Sequence, residues 1–329
     1  MAGLVSRATW IAVAAEAVSG TAEAAPKVYI PVELGGGISM KPVILKPKDT
    51  RGSRAATTAR RQGVKAYPGK FKGTYFNDAT SALLRSALGA DTISQPSAGP
   101  DPTVYDHAMK LANTSPISQT LFYNIWQATG FTESYAWTVI DKFKLSYKHK
   151  DSLLLWEMDT LSMKFAYLAG AVPTPTWTTL LPHAGWEAQV TKGAGLVAGV
   201  TEAEIEITND YEEFYGSVTT TVQQEPTEMM PGDHEVKGKC TILATRAQYE
   251  LFTADTEEVF QLVFVGETIS STFKQTITFN ITKARYEGGE RDNGEKVIML
   301  KCEFEGVLDG STSTVATATI RNNRALTYY

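Results

Sequence analysis

Apolar and polar residues alternate along much of this chain. Tyr135 to Tyr147 (YAWTVIDKFKLSY), Ala203 to Ile207 (AEIEI), Gln275 to Ile281 (QTITFNI) and Val297 to Phe304 (VIMLKCEF) all follow a period close to two. They are rich in Val, Ile, Thr, Tyr and Phe, the composition of half-buried strands. Lys27 to Val32 is a further apolar, β-branched stretch. Helical signals are few. Asp78 to Gly89 is one: Asp78 is placed to cap the first N–H groups, Leu84 and Leu88 share a face, and Gly89 provides a stop. Ala244 to Phe252 is the second. The expected fold class is mainly β.

The two helices lie in matching surroundings. Aligned without gaps, Phe71-Lys72-Gly73 falls on Val236-Lys237-Gly238, and Ala79-Thr80-x-Ala82 on Ala244-Thr245-x-Ala247. A strand follows each helix, Leu121-Phe122-Tyr123 in one half and Leu262-Val263-Phe264 in the other. A longer strand then ends Lys144-Leu145-Ser146-Tyr147 or Lys283-Ala284-Arg285-Tyr286. Each half thus reads strand, long loop, strand, helix, strand, strand, strand, which indicates one unit used twice. Ala169 to Pro182, rich in Pro and Thr and without period, reads as the linker. The expected division is an N-terminal arm over 1–26, a first domain over 27–170, and linker plus second domain over 171–329.

Composition narrows the function. The chain has 329 residues, 43% of them hydrophobic, enough for a substantial core, and a net charge of only −5. That balance does not suit a dedicated nucleic-acid binder, which needs excess Lys and Arg. Cys240 and Cys302 fit neither a metal motif nor a disulfide framework. The N-terminal stretch from Arg7 to Ala24 loosely imitates a secretory signal, but Glu16 interrupts a short, Ala-rich run. No run approaches the ~20 apolar residues of a spanning helix. The expectation is a soluble protein made in the cytoplasm, without membrane partner or cofactor.

Catalytic constellations are wanting. His107, His149, His183 and His234 lie too far apart for two to share a helix face, and there is no GxSxG elbow. Gly193 to Gly199 mimics a dinucleotide fingerprint but runs into the strand-like Thr201 to Ile207, whose glutamates would repel phosphate. Glu202, Glu204 and Glu206 could pair as catalytic or metal-binding carboxylates, but read more simply as the solvated or interfacial face of one strand.

The order of motifs carries a resemblance. Glu16-Ala17-Val18-Ser19-Gly20-Thr21-Ala22, Tyr29-Ile30-Pro31-Val32-Glu33, Arg51-Gly52-Ser53-Arg54 and Leu83-Leu84-x-x-Ala87-Leu88-Gly89 follow one another. The chain resembles the major tail tube proteins of long-tailed, siphovirus-type bacteriophages. The resemblance implies tandem β-sandwich domains, each with one flanking helix, whose sheets continue into a ring β-barrel. It implies a non-enzymatic virion component made in the host cytoplasm. Three two-domain chains would form a near six-fold ring, and rings would stack into a conduit for double-stranded DNA. Tape-measure, terminator and baseplate proteins would be its other partners. Competing readings are another tail or baseplate component, or a secreted carbohydrate-binding β-sandwich.

Charge differs between the halves. Met40 to Lys72 holds ten basic residues and one acid, whereas Thr201 to Asp233 holds nine acids and no Lys or Arg. Opposite charge on equivalent loops suits complementary surfaces. Arg51, Arg54, Arg60 and Arg61 are the candidate inter-subunit basic loop. Glu212, Glu213, Glu225 and Glu228 are the candidate acidic partner surface. A bore that lets DNA pass should be acidic or neutral, and Asp141, Glu157, Asp159, Glu303 and Glu305 are candidates to line it.

Overall fold

A computed structural model describes residues 9–46, 60–97, 101–111, 117–124, 131–193, 195–216, 224–246, 248, 250, 257–270, 272–292 and 297–324. The first half contains β1 (Trp10–Ala15), β2 (Val28–Ile30), β3 (Gly37–Ile38), β4 (Lys41–Leu45), β5 (Arg61–Thr74), the helix α1 (Ser81–Leu88), β6 (Gly89–Ser94), β7 (Tyr105–Leu111), β8 (Gln119–Asn124), β9 (Thr132–Lys148) and β10 (Leu155–Tyr167). The second contains β11 (Ala188–Lys192), β12 (Gly195–Leu196), β13 (Val200–Thr208), β14 (Glu212–Phe214), β15 (Glu228–Met230), β16 (Glu235–Leu243), β17 (Glu258–Ser270), β18 (Phe273–Asp292), β19 (Met299–Gly306) and β20 (Ala316–Asn322). The protein is mainly β, and among the described residues all strand pairs are antiparallel.

Eighteen strands form one hydrogen-bonded network, while β14 and β15 make a separate hairpin. Within the first half the lateral order is β2-β1-β8-β9-β10-β5-β3. Within the second it is β12-β11-β17-β18-β19-β16-β13. Two pairings join the halves: β13 lies on the C-terminal part of β9, and β20 lies between β18 and β7. Among the described residues no closed barrel forms within the chain.

Alternation explains the packing. On β9, Phe143, Leu145 and Tyr147 point into the core; on β13 it is Ala203, Ile205 and Ile207; on β19, Leu300, Cys302 and Phe304. One apolar cluster runs through both halves, from Trp156 and Phe71 to Phe264, Phe279 and Phe304. Each large side chain so buried contributes about 1.5–3 kcal/mol. Gly73 lies opposite Trp156, and Gly238 opposite Phe304. Each glycine makes room for the aromatic ring of the next strand, since a Cβ there would press on Trp156 or on Phe304.

Some expectations shift. The helix starts at Ser81, not after an Asp78 cap, and every one of its residues is buried instead of one face alone. The Asp78 carboxylate instead accepts the hydroxyl of Thr178, tying the Ala169 to Pro182 connection to the first half. Gly89 ends the helix at φ +108°, where a Cβ would be strained. In the second candidate helix, Arg246, Gln248 and Glu250 are helical, and the rest up to Phe252 lies outside the described residues apart from Ala244 and Thr245.

The stretch 10–15, read as part of an N-terminal arm, is β1, buried and paired with β2 and β8. The Glu16 carboxylate accepts N–H groups from Gly20 (2.8 Å) and Trp137 (2.7 Å) and the Thr120 hydroxyl (3.0 Å). Gly20 sits at φ +80° with Trp137 packed where a Cβ would be. The Glu16-to-Gly20 motif is therefore a structural clasp.

Candidate functional site: a striped charged sheet face

The face opposite the core on β5, β10, β9, β13, β16, β19 and the end of β18 is polar throughout its centre. Register decides its pattern. Lys72 lies opposite Glu157, Glu157 opposite Lys144, Lys144 opposite Glu206, Glu206 opposite Lys237, Lys237 opposite Glu305, and Glu305 opposite Arg285. One row across seven strands thus alternates in sign at every step. At its start Glu33 donates its N–H to the carbonyl of Lys72 and its carboxylate lies 3.3 Å from the Lys72 amine. Opposite charges directly across an antiparallel pair stabilise it, and like charges would oppose it.

Ion pairs knit the row to its neighbours. Lys70 meets Asp159 at 2.6 Å, Lys144 meets Glu204 at 2.8 Å, and Lys239 meets Glu303 at 2.8 Å. Lys142 lies 3.4 Å from Glu206 and Lys148 lies 3.6 Å from Glu202. The hydrogen bonds that Lys70 and Lys239 donate to Asp159 and Glu303 raise their amines above the ordinary lysine value. Burial pulls the Lys144 amine down, but the hydrogen bond and charge of Glu204, together with Glu157 and Glu206, more than offset it. Glu305 is pushed up, first by its hydrogen bond to Glu287, so two carboxylates crowd each other at the β18 end.

Four of the five bore candidates, Glu157, Asp159, Glu303 and Glu305, lie on this face. Asp141 occupies the β9 bulge opposite Asp159 and Thr160 and accepts the Tyr211 N–H at 2.9 Å. Burial raises its carboxyl. The sequence did not identify Glu202, Glu204 and Glu206 as members of the same face. Their alternation was visible, but the pairing of β13 with the lysines of β9 joins residues some 60 positions apart and is not a local signal.

The basic and acidic loop candidates separate differently. Arg51 and Arg54 lie outside the described residues. Arg60 is exposed, and Arg61 begins β5 opposite Leu45. Glu212 and Glu213 are on β14 and Glu228 on β15. Glu225 accepts the Tyr67 hydroxyl at 3.2 Å, and the Tyr67 phenol is pushed up to about 12 by burial and then by Glu225. Lys65 donates its N–H to the carbonyl of Gln224 at 2.7 Å, and the Tyr215 hydroxyl donates to the Lys65 carbonyl. The early part of β5 therefore adjoins Tyr215, Gln224 and Glu225 within one chain, but among the described residues Arg60 and Arg61 form no ion pair with these glutamates.

Among the described residues no group of three or more His, Cys, Asp or Glu side chains could hold a metal ion, and no helix is long and apolar enough to cross a membrane. Gly193 to Gly199 leads into the strand β13. A large antiparallel sheet whose charged face neutralises itself defines a β-rich scaffold. The model of the phage tail tube protein family matches residues 7–306, nearly the whole chain. The chain belongs to that family, whose members are structural proteins of the bacteriophage tail. Comparison with curated proteins gives no match.

Proposed function

We propose that this chain is the tail tube subunit of a long-tailed, siphovirus-type phage and that its two halves are tandem tube units. Three chains would make a ring of six such units, and stacked rings the conduit for DNA. The observation that carries the reading is the repetition of one strand order in both halves. The charged row repeats with it: Glu33, Lys72, Glu157 and Lys144 in the first half, Glu206, Lys237, Glu305 and Arg285 in the second. A sheet with open edges invites pairing, and ring closure removes the edges.

In this reading the striped face lines the bore. Each amine on it has a carboxylate at hand, so phosphates of passing DNA meet few uncompensated cations and little counterion release holds them. The basic loop from Arg51 to Arg61 bridges to a neighbouring subunit, and tape-measure, terminator and baseplate proteins meet the tube at its ends. Electron microscopy of the purified chain tests this. Hollow tubes with three chains per ring, counted by native mass of short assemblies, are expected. A chain that remains monomeric at high concentration would sink it.

A further inference from the structure

We propose that Cys240 and Cys302 form a paired modification site, which a small peroxide oxidises to a disulfide that staples β16 to β19. The chemistry stands independently of the tube reading.

Register makes the pair. The two cysteines are some 60 positions apart and belong to no spacing motif. On the antiparallel strands β16 and β19 they lie directly opposite each other. Directly opposed residues have Cα atoms about 4.5–5.5 Å apart and point to the same face of the sheet. A disulfide spans Cα separations of about 4.4–6.8 Å, so closure fits the strand spacing as it stands. Both cysteines are free thiols on the buried side, and Cys240 hydrogen-bonds to Cys302.

The first half fills the same place differently. Two residues on from the matched glycines, Tyr75 stands for Cys240 and Leu154 for Cys302. The Tyr75 N–H donates to the Leu154 carbonyl at 2.8 Å, and both side chains are fully buried. The fold asks only for apolar bulk at this position. Two thiols supply a chemistry that packing does not require.

The surroundings suit a reactive pair. A cavity of about 20 Å³ lies against both cysteines and is lined also by Lys192, Gln248, Phe260 and Tyr286. That is room for a molecule little larger than water. The Lys192 amine lies 3.9 Å from the centre of the Tyr286 ring and 3.4 Å from Glu258. Its side chain is 12% exposed, so this wall of the cavity reaches solvent. The hydrogen bond from Cys240, followed by the Lys192 charge, draws the Cys302 thiol below the ordinary cysteine value against the effect of burial. The same hydrogen bond, with burial, pushes Cys240 up. Cys302 is therefore the thiolate and Cys240 the proton donor.

The reaction balances with hydrogen peroxide as the oxidant. The Cys302 thiolate attacks one oxygen and the O–O bond breaks. Cys302 becomes a sulfenic acid, and hydroxide leaves to take up the proton that Cys302 had given up. The Cys240 sulfur then attacks the sulfenic sulfur. The S–S bond forms, the S–O bond breaks, and the Cys240 proton leaves with the hydroxyl as water. Two thiols are oxidised and one peroxide is reduced to two waters. A tail protein made in reducing cytoplasm meets oxidising surroundings after release. On the reading above, the pair is reduced while subunits fold and closes in the finished tail.

The test treats the folded full-length chain with dilute hydrogen peroxide, followed by non-reducing mass spectrometry of the whole chain and of its peptides. The intact mass should fall by two hydrogens, a linked Cys240–Cys302 peptide pair should appear, and both thiols should be lost to a thiol reagent in denaturant. Cys240→Ala should instead accumulate oxygen on Cys302, and Lys192→Met should slow closure several-fold. Added oxygen on the wild type without a linked pair, covalent dimers through either cysteine, or closure only in unfolding urea overturns the proposal. Unchanged thiols in the folded chain overturn it as well. The wild-type masses decide where a variant fails to fold. A chain that closes this bond but never polymerises overturns the tube reading and leaves the site standing.

Discussion

The C-terminal part of β9 and the end of β18 are two versions of one edge. On β9 the edge is closed in cis: β13 covers it, three lysines meet three glutamates, and Ile205 and Ile207 are buried behind them. A buried amide locks the seam. Asn209 donates through Nδ2 to the carbonyls of Ala87 (3.1 Å) and Ile140 (2.9 Å), and its Oδ1 accepts from His234 Nδ1 at 2.6 Å. On β18 the strand on that side is β17, its neighbour in sequence, which pairs as far as Ala284. The difference is between a long-range pairing that joins the halves and a local one within the second half. Substitutions at the β9–β13 seam should therefore cost stability of the isolated chain through contacts that hold the halves together.

The largest effect is expected at the matched glycines. In Gly238→Ala the new methyl would overlap the Phe304 ring. In Gly73→Ala it would lie 2.9 Å from the Pro31 carbonyl oxygen and 3.2 Å from Trp156 Nε1. Overpacking of this kind costs about 1–3 kcal/mol or more. Urea unfolding should rank Gly238→Ala as the more severe, and a neutral result at either site would break the equivalence of the halves. Asn209→Ala comes next. It leaves two buried carbonyls without their donor and should cost about 2–3 kcal/mol, whereas Glu33→Ala in the monomer should stay within about 0.5 kcal/mol of wild type.

Much of this was legible in the sequence, and the failures have physical causes. Strands with one wet face announce themselves by alternation, so β9, β13, β18 and β19 were found. β1 was not, because WIAVAA is buried on both sides and has no period. The hairpin of β6 (GADTIS) and β7 (YDHAMKL) has few β-branched or aromatic residues to mark it, although β7 bridges to the second half through β20. Asp78 looked like a cap because its type is right, but a contact with Thr178 claims its carboxylate. The individual charges of the striped face were visible; their order was not, because register is set by pairings between distant strands.

A smaller effect is expected from acid. Burial lowers the pKa of His234, which touches Asn209 at the seam. Burial also lowers that of His183, against the opposing pull of Glu187. The unfolded chain takes up a proton near the ordinary histidine value of 6.5, which the folded chain resists. Stability is therefore complete above that pH and falls as pH drops below it toward the lowered folded values. Thermal unfolding followed from pH 7.5 to 5 should show the decline, and His234→Gln should flatten it. An unchanged slope in that variant would remove His234 from the account of the seam.

The smallest effect is expected from the seam's ion pairs, although they are its most visible feature. The side chains of Lys144 and Glu204 are 27% and 31% exposed, so water and salt screen them. Pairs of this kind contribute about 0.2–1 kcal/mol. A double-mutant cycle of Lys144→Ala and Glu204→Ala should return a coupling in that range that shrinks as salt is raised. The stripe therefore does little to hold the monomer together; Asn209, Ile205 and Ile207 do that. Its consequence is for partner choice, since one residue of slip exposes the apolar set and a longer slip sets like charges face to face. Reversing the pair, with Lys144→Glu and Glu204→Lys together, keeps the ion pair but sets the new glutamate against Glu157 and Glu206 and the new lysine against Lys239. It should therefore lower the stability of the isolated chain slightly, by up to about 1 kcal/mol. Equal stability of the swapped and native chains in low salt would mean that the alternation has no part in selecting the register.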